Sequence, residues 1–162
     1  MESTNRTNQT DSLDGAVAYR VYRAARVLRI HLIRFLEGLG VDLSPEQYFV
    51  LLKVQANPGS SQSDLADRHF ADYPNITRLI DSLVRRNLLV REPAPEDRRR
   101  HAVFLTGEGR ETAGRLLAAV AAERKAMYQG ISQEDIDSAV SVLRSIEERA
   151  SDRAGLVPRK ER

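Results

Sequence analysis

A mainly α-helical fold of about six helices carrying one small β-hairpin is what this sequence predicts. Three observations predict it. Apolar residues recur at steps of three and four along most of the chain, several of these stretches open on their own capping residues, and two short apolar runs flank a Pro-containing polar loop between residues 88 and 106.

The first helix is read over residues 14–39. Val17, Val21, Ala24, Leu28, Leu32, Phe35 and Leu39 fall within a band of roughly 80° at about 100° per residue. Tyr22, Ile33 and Leu36 form a second apolar group, so this helix is expected to touch two bodies, such as its own domain and a partner subunit. Gly38 and Gly40 end it. Ser44-Pro45-Glu46-Gln47 then supplies an N-cap serine, a proline in the first turn and a glutamine at the third helical position. That second helix runs through Tyr48, Leu51 and Leu52 to a stop at Asn57-Pro58-Gly59, and Ser61-x-x-Asp64 opens a short third one.

Residues 72–86 are expected to form a helix with two chemically different faces. Ile76, Leu79, Ile80, Leu83 and Val84 turn to the core; Asn75, Thr77, Arg78, Asp81, Ser82 and Arg85 lie opposite. The hairpin follows, with Arg98, Arg99 and Arg100 near its tip. An Ala-rich helix with Leu116, Leu117, Val120 and Met127 stops near Gly130, and Ser132-Gln133-Glu134-Asp135 caps a last helix bearing Ile136, Ala139, Val140, Leu143 and Ile146. The expected organisation is a flexible tail at 1–13, a region of long helices at 14–42 and 107–152, a lobe of short helices and the hairpin at 43–106 and a polar tail at 153–162.

Composition removes many functions. With 162 residues, 41% hydrophobic and 30% charged, the chain has a single domain's length and enough apolar residues for a core, which excludes disordered, collagen-like and disulfide-framework classes. Having no cysteine, it lacks thiol redox sensing, zinc–thiolate sites and a Cys nucleophile. The longest uncharged apolar run falls far short of the roughly 20 residues of a membrane span, and the first residues lack a basic-then-apolar signal pattern, so a cytoplasmic location is expected. The five arginines between residues 16 and 36 step round some 180° of their helix rather than forming one polar stripe, which argues against a membrane-surface helix. His31, His69 and His101 show no metal-ligand spacing, and no nucleophile elbow, dinucleotide fingerprint or phosphate loop occurs; no metal, cofactor or enzymatic activity is expected.

Local charge points elsewhere. Net charge is only +2, yet residues 85–100 hold six Arg against Glu92, Glu96 and Asp97. A short helix, a tight turn, a second helix with polar residues on its exposed start and a basic hairpin together make a winged helix-turn-helix. A helix of this diameter enters the DNA major groove, where base edges display distinguishable donor and acceptor patterns. Asn75, Thr77 and Arg78 bring amide, hydroxyl, methyl and guanidinium groups there, flanked by Ser82 and Arg85. Ser63 is placed to hold a phosphate on backbone N–H groups, and an Arg-rich hairpin tip suits the minor groove. The alternative is a winged-helix protein-interaction module without specific DNA binding. Such a module tends to expose acids or large apolar residues on this face, whereas only Asp81 is acidic here.

The chain resembles the MarR family of bacterial transcriptional regulators. The family's wing signature, Asp-x-Arg followed by five residues and Leu-Thr, stands here as Asp97, Arg99, Leu105 and Thr106, with Gly109 beyond. Leu43-Ser44-Pro45-Glu46-Gln47-Tyr48 looks like the family's second-helix opening, and Ile76-Thr77-Arg78-Leu79-Ile80-Asp81-x-Leu83 like its recognition helix. Asn87 departs from the Gly usual there as helix C-cap, a mild departure because Asn tolerates the left-handed conformation next best. The resemblance implies a homodimer through the first and last two helices, recognition helices in successive major grooves of a pseudo-palindromic operator, and wings in the flanking minor grooves. It places Arg99 in the minor groove and gives Asp97 the task of ordering the wing. It also implies repression relieved by a small aromatic or anionic effector, for which Arg26, His31, Phe35 and Tyr48 are the candidate pocket residues.

Overall fold

In the computed structural model, which describes residues 16–66, 73–93 and 101–155, the order of elements is α1 (Val17–Gly38), α2 (Pro45–Ala56), β1 (Ser60–Ser61), α3 (Gln62–Leu65), α4 (Tyr73–Arg85), β2 (Leu89–Pro93), β3 (His101–Leu105), α5 (Gly107–Met127) and α6 (Gln133–Ala154). Six helices and a small antiparallel sheet are the fold class expected. The chain divides into two compact units, Met1–Tyr48 and Phe49–Arg162. Among the described residues no helix is long and apolar enough to cross a membrane.

The first unit holds α1 and the opening turn of α2. That turn is a capping box: the Ser44 N–H donates to Gln47 Oε1 (2.9 Å) and the Gln47 N–H to Ser44 Oγ (3.2 Å), so two donors that a helix start leaves orphaned are satisfied reciprocally. Leu36, Leu43 and Tyr48 are buried, while Val17, Val21, Tyr22, Val27 and Leu28 of α1 stay exposed.

The second unit is organised round a three-stranded sheet in the order β1-β3-β2. β2 and β3 form the expected hairpin in the register Leu89↔Leu105 to Pro93↔His101; Pro93, which cannot donate to a ladder, sits at the end of an edge strand. β1 is an addition to the hairpin: Ser60 pairs with Val103 and Ser61 with Ala102. Gly59 takes a φ of +82° to bring the chain there after α2. Ser61 then caps α3, accepting from the Asp64 N–H while the Asp64 carboxylate accepts from the Ser61 N–H. α3 packs on α4, β1 and β3, and α4 packs on β2. Ile76, Ile80 and Leu83 of α4 are fully buried with Leu65, Leu89 and Val103.

α4 ends on Asn87, the non-glycine residue with positive φ (+57°) among those described. The Thr106 hydroxyl donates to the Asn87 carbonyl (2.5 Å), the Gly109 N–H donates to that hydroxyl (2.9 Å), and the Thr106 N–H donates to the Leu88 carbonyl (3.1 Å). These bonds tie the end of α4 to the start of α5. α6 runs to Ala154, where Gly155 supplies a left-handed C-cap at φ +67°.

Candidate nucleic-acid interface

The polar face of α4 stands as the periodicity requires. With Ile76, Ile80 and Leu83 at zero exposure, Asn75, Arg78 and Arg85 are left exposed and Thr77, Asp81 and Ser82 half-buried. Thr77 also fastens the two helices of the motif, since Gln62 Nε2 of α3 donates to its Oγ1 at 3.1 Å. Its methyl is what it can bring to a base edge besides that bond. Ser63 is exposed at the start of α3, its Oγ 2.8 Å from Ser61 Oγ. The Asp64 carboxylate is turned back onto the same helix start, so a phosphate there would share it with an anion.

Two residues of this surface escaped the sequence reading as a pair. Arg91 Nη2 of β2 lies 2.6 Å from Asp81 Oδ1 of α4, which joins the wing's first strand to the polar face of the helix. The available signal was thin: one carboxylate on an otherwise polar and basic face, and the first cation of the following strand. Asp97, Arg98, Arg99 and Arg100 lie outside the described residues.

Of the four effector candidates, all in the first unit, the structure brings two together. The His31 and Phe35 rings stack with centroids 6.2 Å apart and planes 27° from parallel, both half-buried on α1. Tyr48 is buried, at 4% exposure. Arg26 is exposed and lies about 140° round the helix from His31 at about 100° per residue, so it is not brought to that pair. Arg29, on the same helix, instead meets Glu46 of the α2 capping turn. Burial alone pushes the Glu46 carboxyl up, but the hydrogen bond from Arg29, the bonds of the helix start and the Arg29 charge outweigh it and hold the group below its ordinary value.

The sequence pattern of the MarR family matches residues 41–100, from just before α2 to the residue before β3. A solved structure of the transcriptional repressor CouR bound to a 23-mer DNA duplex is 30% identical, with a TM-score of 0.75 over 85% of this chain and 96% of that one. The chain belongs to the MarR family. CouR from Rhodococcus jostii RHA1 bound to p-coumaroyl-CoA is similar to it at 26% identity, with a TM-score of 0.75 over 85% of this chain and 95% of that one. A curated relative, a putative transcriptional regulatory protein for the hcr operon of Thauera aromatica, is 28% identical over 104 residues, 64% of this chain. This MarR-family chain spans 63% of that relative's length over the match.

Proposed function

We propose that this MarR-family chain is a sequence-specific DNA-binding transcriptional regulator, a repressor that a small effector releases from its operator, working as a homodimer in the cytoplasm and without enzymatic activity. The observation that carries the reading is the face of α4. Its amide, hydroxyl and guanidinium groups stand exposed or half-exposed on a helix that is anchored on its other side by the fully buried Ile76, Ile80 and Leu83 and whose end is locked by the Asn87–Thr106 clasp. In that role Asn75, Thr77 and Arg78 read base edges, Ser63, Ser82 and Arg85 hold phosphates, and Arg98 to Arg100 reach the minor groove with Asp97 ordering them.

Exposed apolar side chains support the dimer. Val17, Val21, Tyr22, Val27 and Leu28 on α1, and Val140, Val142, Leu143 and Ile146 on α6, are more exposed than a lone protomer would keep them. Charge agrees: α1 carries five Arg against Glu37, while α6 holds six acidic residues against Arg144, Arg149 and Arg153. Residues 14–42 and 107–152 form the dimerisation region in this reading, and 43–106 the DNA-binding lobe. The stacked His31–Phe35 pair and Tyr48 suit an aromatic acid or its thioester, the class to which the ligand in the relative's crystal belongs. Arg26 would meet the anionic part only if another segment or protomer brings the ligand to its side of α1. The effector binds the DNA-incompetent arrangement more tightly, so by linkage DNA lowers effector affinity by the same factor.

The test is binding of the purified chain to fluorescent duplex from the DNA flanking its own gene, titrated against salt, with random duplex and Arg99→Ala as controls. Selective binding by a dimer, weakened in the variant, is expected. Binding no better than to random duplex, both there and in a genome-wide pool of duplexes, would favour the winged-helix protein-interaction module instead.

A further inference from the structure

Asp81 is an obstacle to the proposed function. It sits on the polar face of α4, one turn from Thr77 and Arg78 on one side and from Arg85 on the other, where an operator would present phosphates. A bare carboxylate there repels the duplex. Of α4's charged side chains, Arg78 and Arg85 lie three and four residues from it, yet the cation 2.6 Å from its Oδ1 comes from outside the helix: Arg91, on β2.

The Arg91 side chain is held for that task. It is three-quarters buried, its Nε is enclosed with no acceptor among the described residues, and its outer nitrogen reaches the half-exposed carboxylate. Enclosing a guanidinium donor without an acceptor opposes folding, and replacing a partly buried ion pair by apolar residues is often neutral or stabilising, so fold stability alone does not account for the arrangement. Masking of the Asp81 charge does.

We propose that Arg91 is a positioning residue for DNA binding: it neutralises Asp81 on the DNA-facing side of α4 and so sets how strongly that face is attracted to the phosphate backbone. This rests on the DNA-binding reading above. Because the masking group belongs to the wing and the masked one to the recognition helix, the helix carries its full positive field only while the two elements are docked on each other.

The sign of one substitution separates masking from mere structural support. If the pair only braces the fold, Asp81→Asn breaks the brace and weakens binding. If Arg91 masks Asp81, the same substitution frees a cation beside the phosphates, tightens binding to specific and random duplexes alike and steepens the salt dependence. The experiment is a four-member cycle of wild type, Asp81→Asn, Arg91→Ala and the double variant, read by fluorescence anisotropy on both duplexes at low and moderate salt, with thermal unfolding of each. Arg91→Ala is expected to lose roughly five- to tenfold at low salt, the scale of one unscreened charge near the duplex, and less at moderate salt. The double variant is expected to return to within about twofold of wild type. A double variant as weak as Arg91→Ala, or an Asp81→Asn that binds no tighter than wild type, overturns the proposal. Should Arg91→Ala fail to fold, the isosteric Asp81→Asn decides alone. A wild type that binds no duplex overturns the DNA-binding reading first and this inference with it, whereas a wild type that binds normally beside an inert cycle overturns only the inference.

Discussion

The carbonyl oxygen of Leu88 occupies the place where a side chain on Gly109 would begin, with the Leu88 carbonyl carbon only 2.9 Å from that point. This close approach lets the first turn of α5 settle on the residue that follows the left-handed end of α4. Both sides of the contact are backbone, so neither can swing away. Gly109→Ala is therefore expected to destabilise the fold by about 3 kcal/mol, the upper part of the range for overpacking. Urea unfolding at unchanged slope measures it. Gly107→Ala, where nothing lies within 4 Å, is the control. A Gly109 variant no weaker than that control would mean that α5 can slide away from Leu88.

Asn87 gives a second prediction. At φ +57° an L-residue with a β-carbon pays for the left-handed conformation, whereas Gly does not. Asn87 offsets part of that cost with a bond from its amide to Glu108 Oε2 at 3.1 Å. Asn87→Ala loses the bond and keeps the conformational cost, so it should destabilise by about 1–2 kcal/mol. Asn87→Gly loses the bond but removes the cost and should lie within about 0.5 kcal/mol of wild type. Equal losses in the two variants would show that the Glu108 bond, and not the backbone, is what Asn87 contributes.

Much of this was legible because capping chemistry is local. Ser44, Ser61 and Ser132 each announce a helix start within four residues, and all three side chains accept the third-position N–H as the pattern requires. The face of α4 was equally legible, because fully buried Ile76, Ile80 and Leu83 leave only one side for its polar residues. β1 was not. Two serines carry no alternation, and Ser61 doubles as the α3 cap, so its capping signal conceals its pairing with Ala102. The Asp81–Arg91 pair was hidden because it forms between a helix and a strand, at a separation that no helical or strand period marks.

Division of labour on the DNA-facing side gives a third prediction. Arg78, exposed in the first half of α4, is assigned to base edges, and Arg85, exposed in its last turn, to phosphate. Arg78→Ala should narrow the gap between operator and random duplex by about 1–3 kcal/mol. Arg85→Ala should weaken all duplexes alike and reduce the salt slope by about one. Competition titrations at three salt concentrations distinguish the two, and the assignment fails if both variants scale every sequence equally.

Arg29 and Glu46 supply the last prediction, a dependence on pH. The folded chain holds the Glu46 carboxyl below its ordinary value although burial alone would raise it, so the ionised form is the one the fold prefers. The sign follows from linkage: the stabilisation is fully present above the ordinary carboxylate value and is lost as the pH falls through the lowered one. Arg29→Ala removes the hydrogen bond and the charge but leaves the burial, so the Glu46 titration followed by carboxyl NMR should move upward. Arg29 is half exposed, so solvent screens the pair and its contribution at neutral pH should stay below about 1 kcal/mol and shrink with added salt. The stability difference between wild type and variant is therefore expected at neutral pH and should close in acid. Curves that stay parallel into acid would mean that Arg29 supports the α2 capping turn by packing its stem and not by its charge.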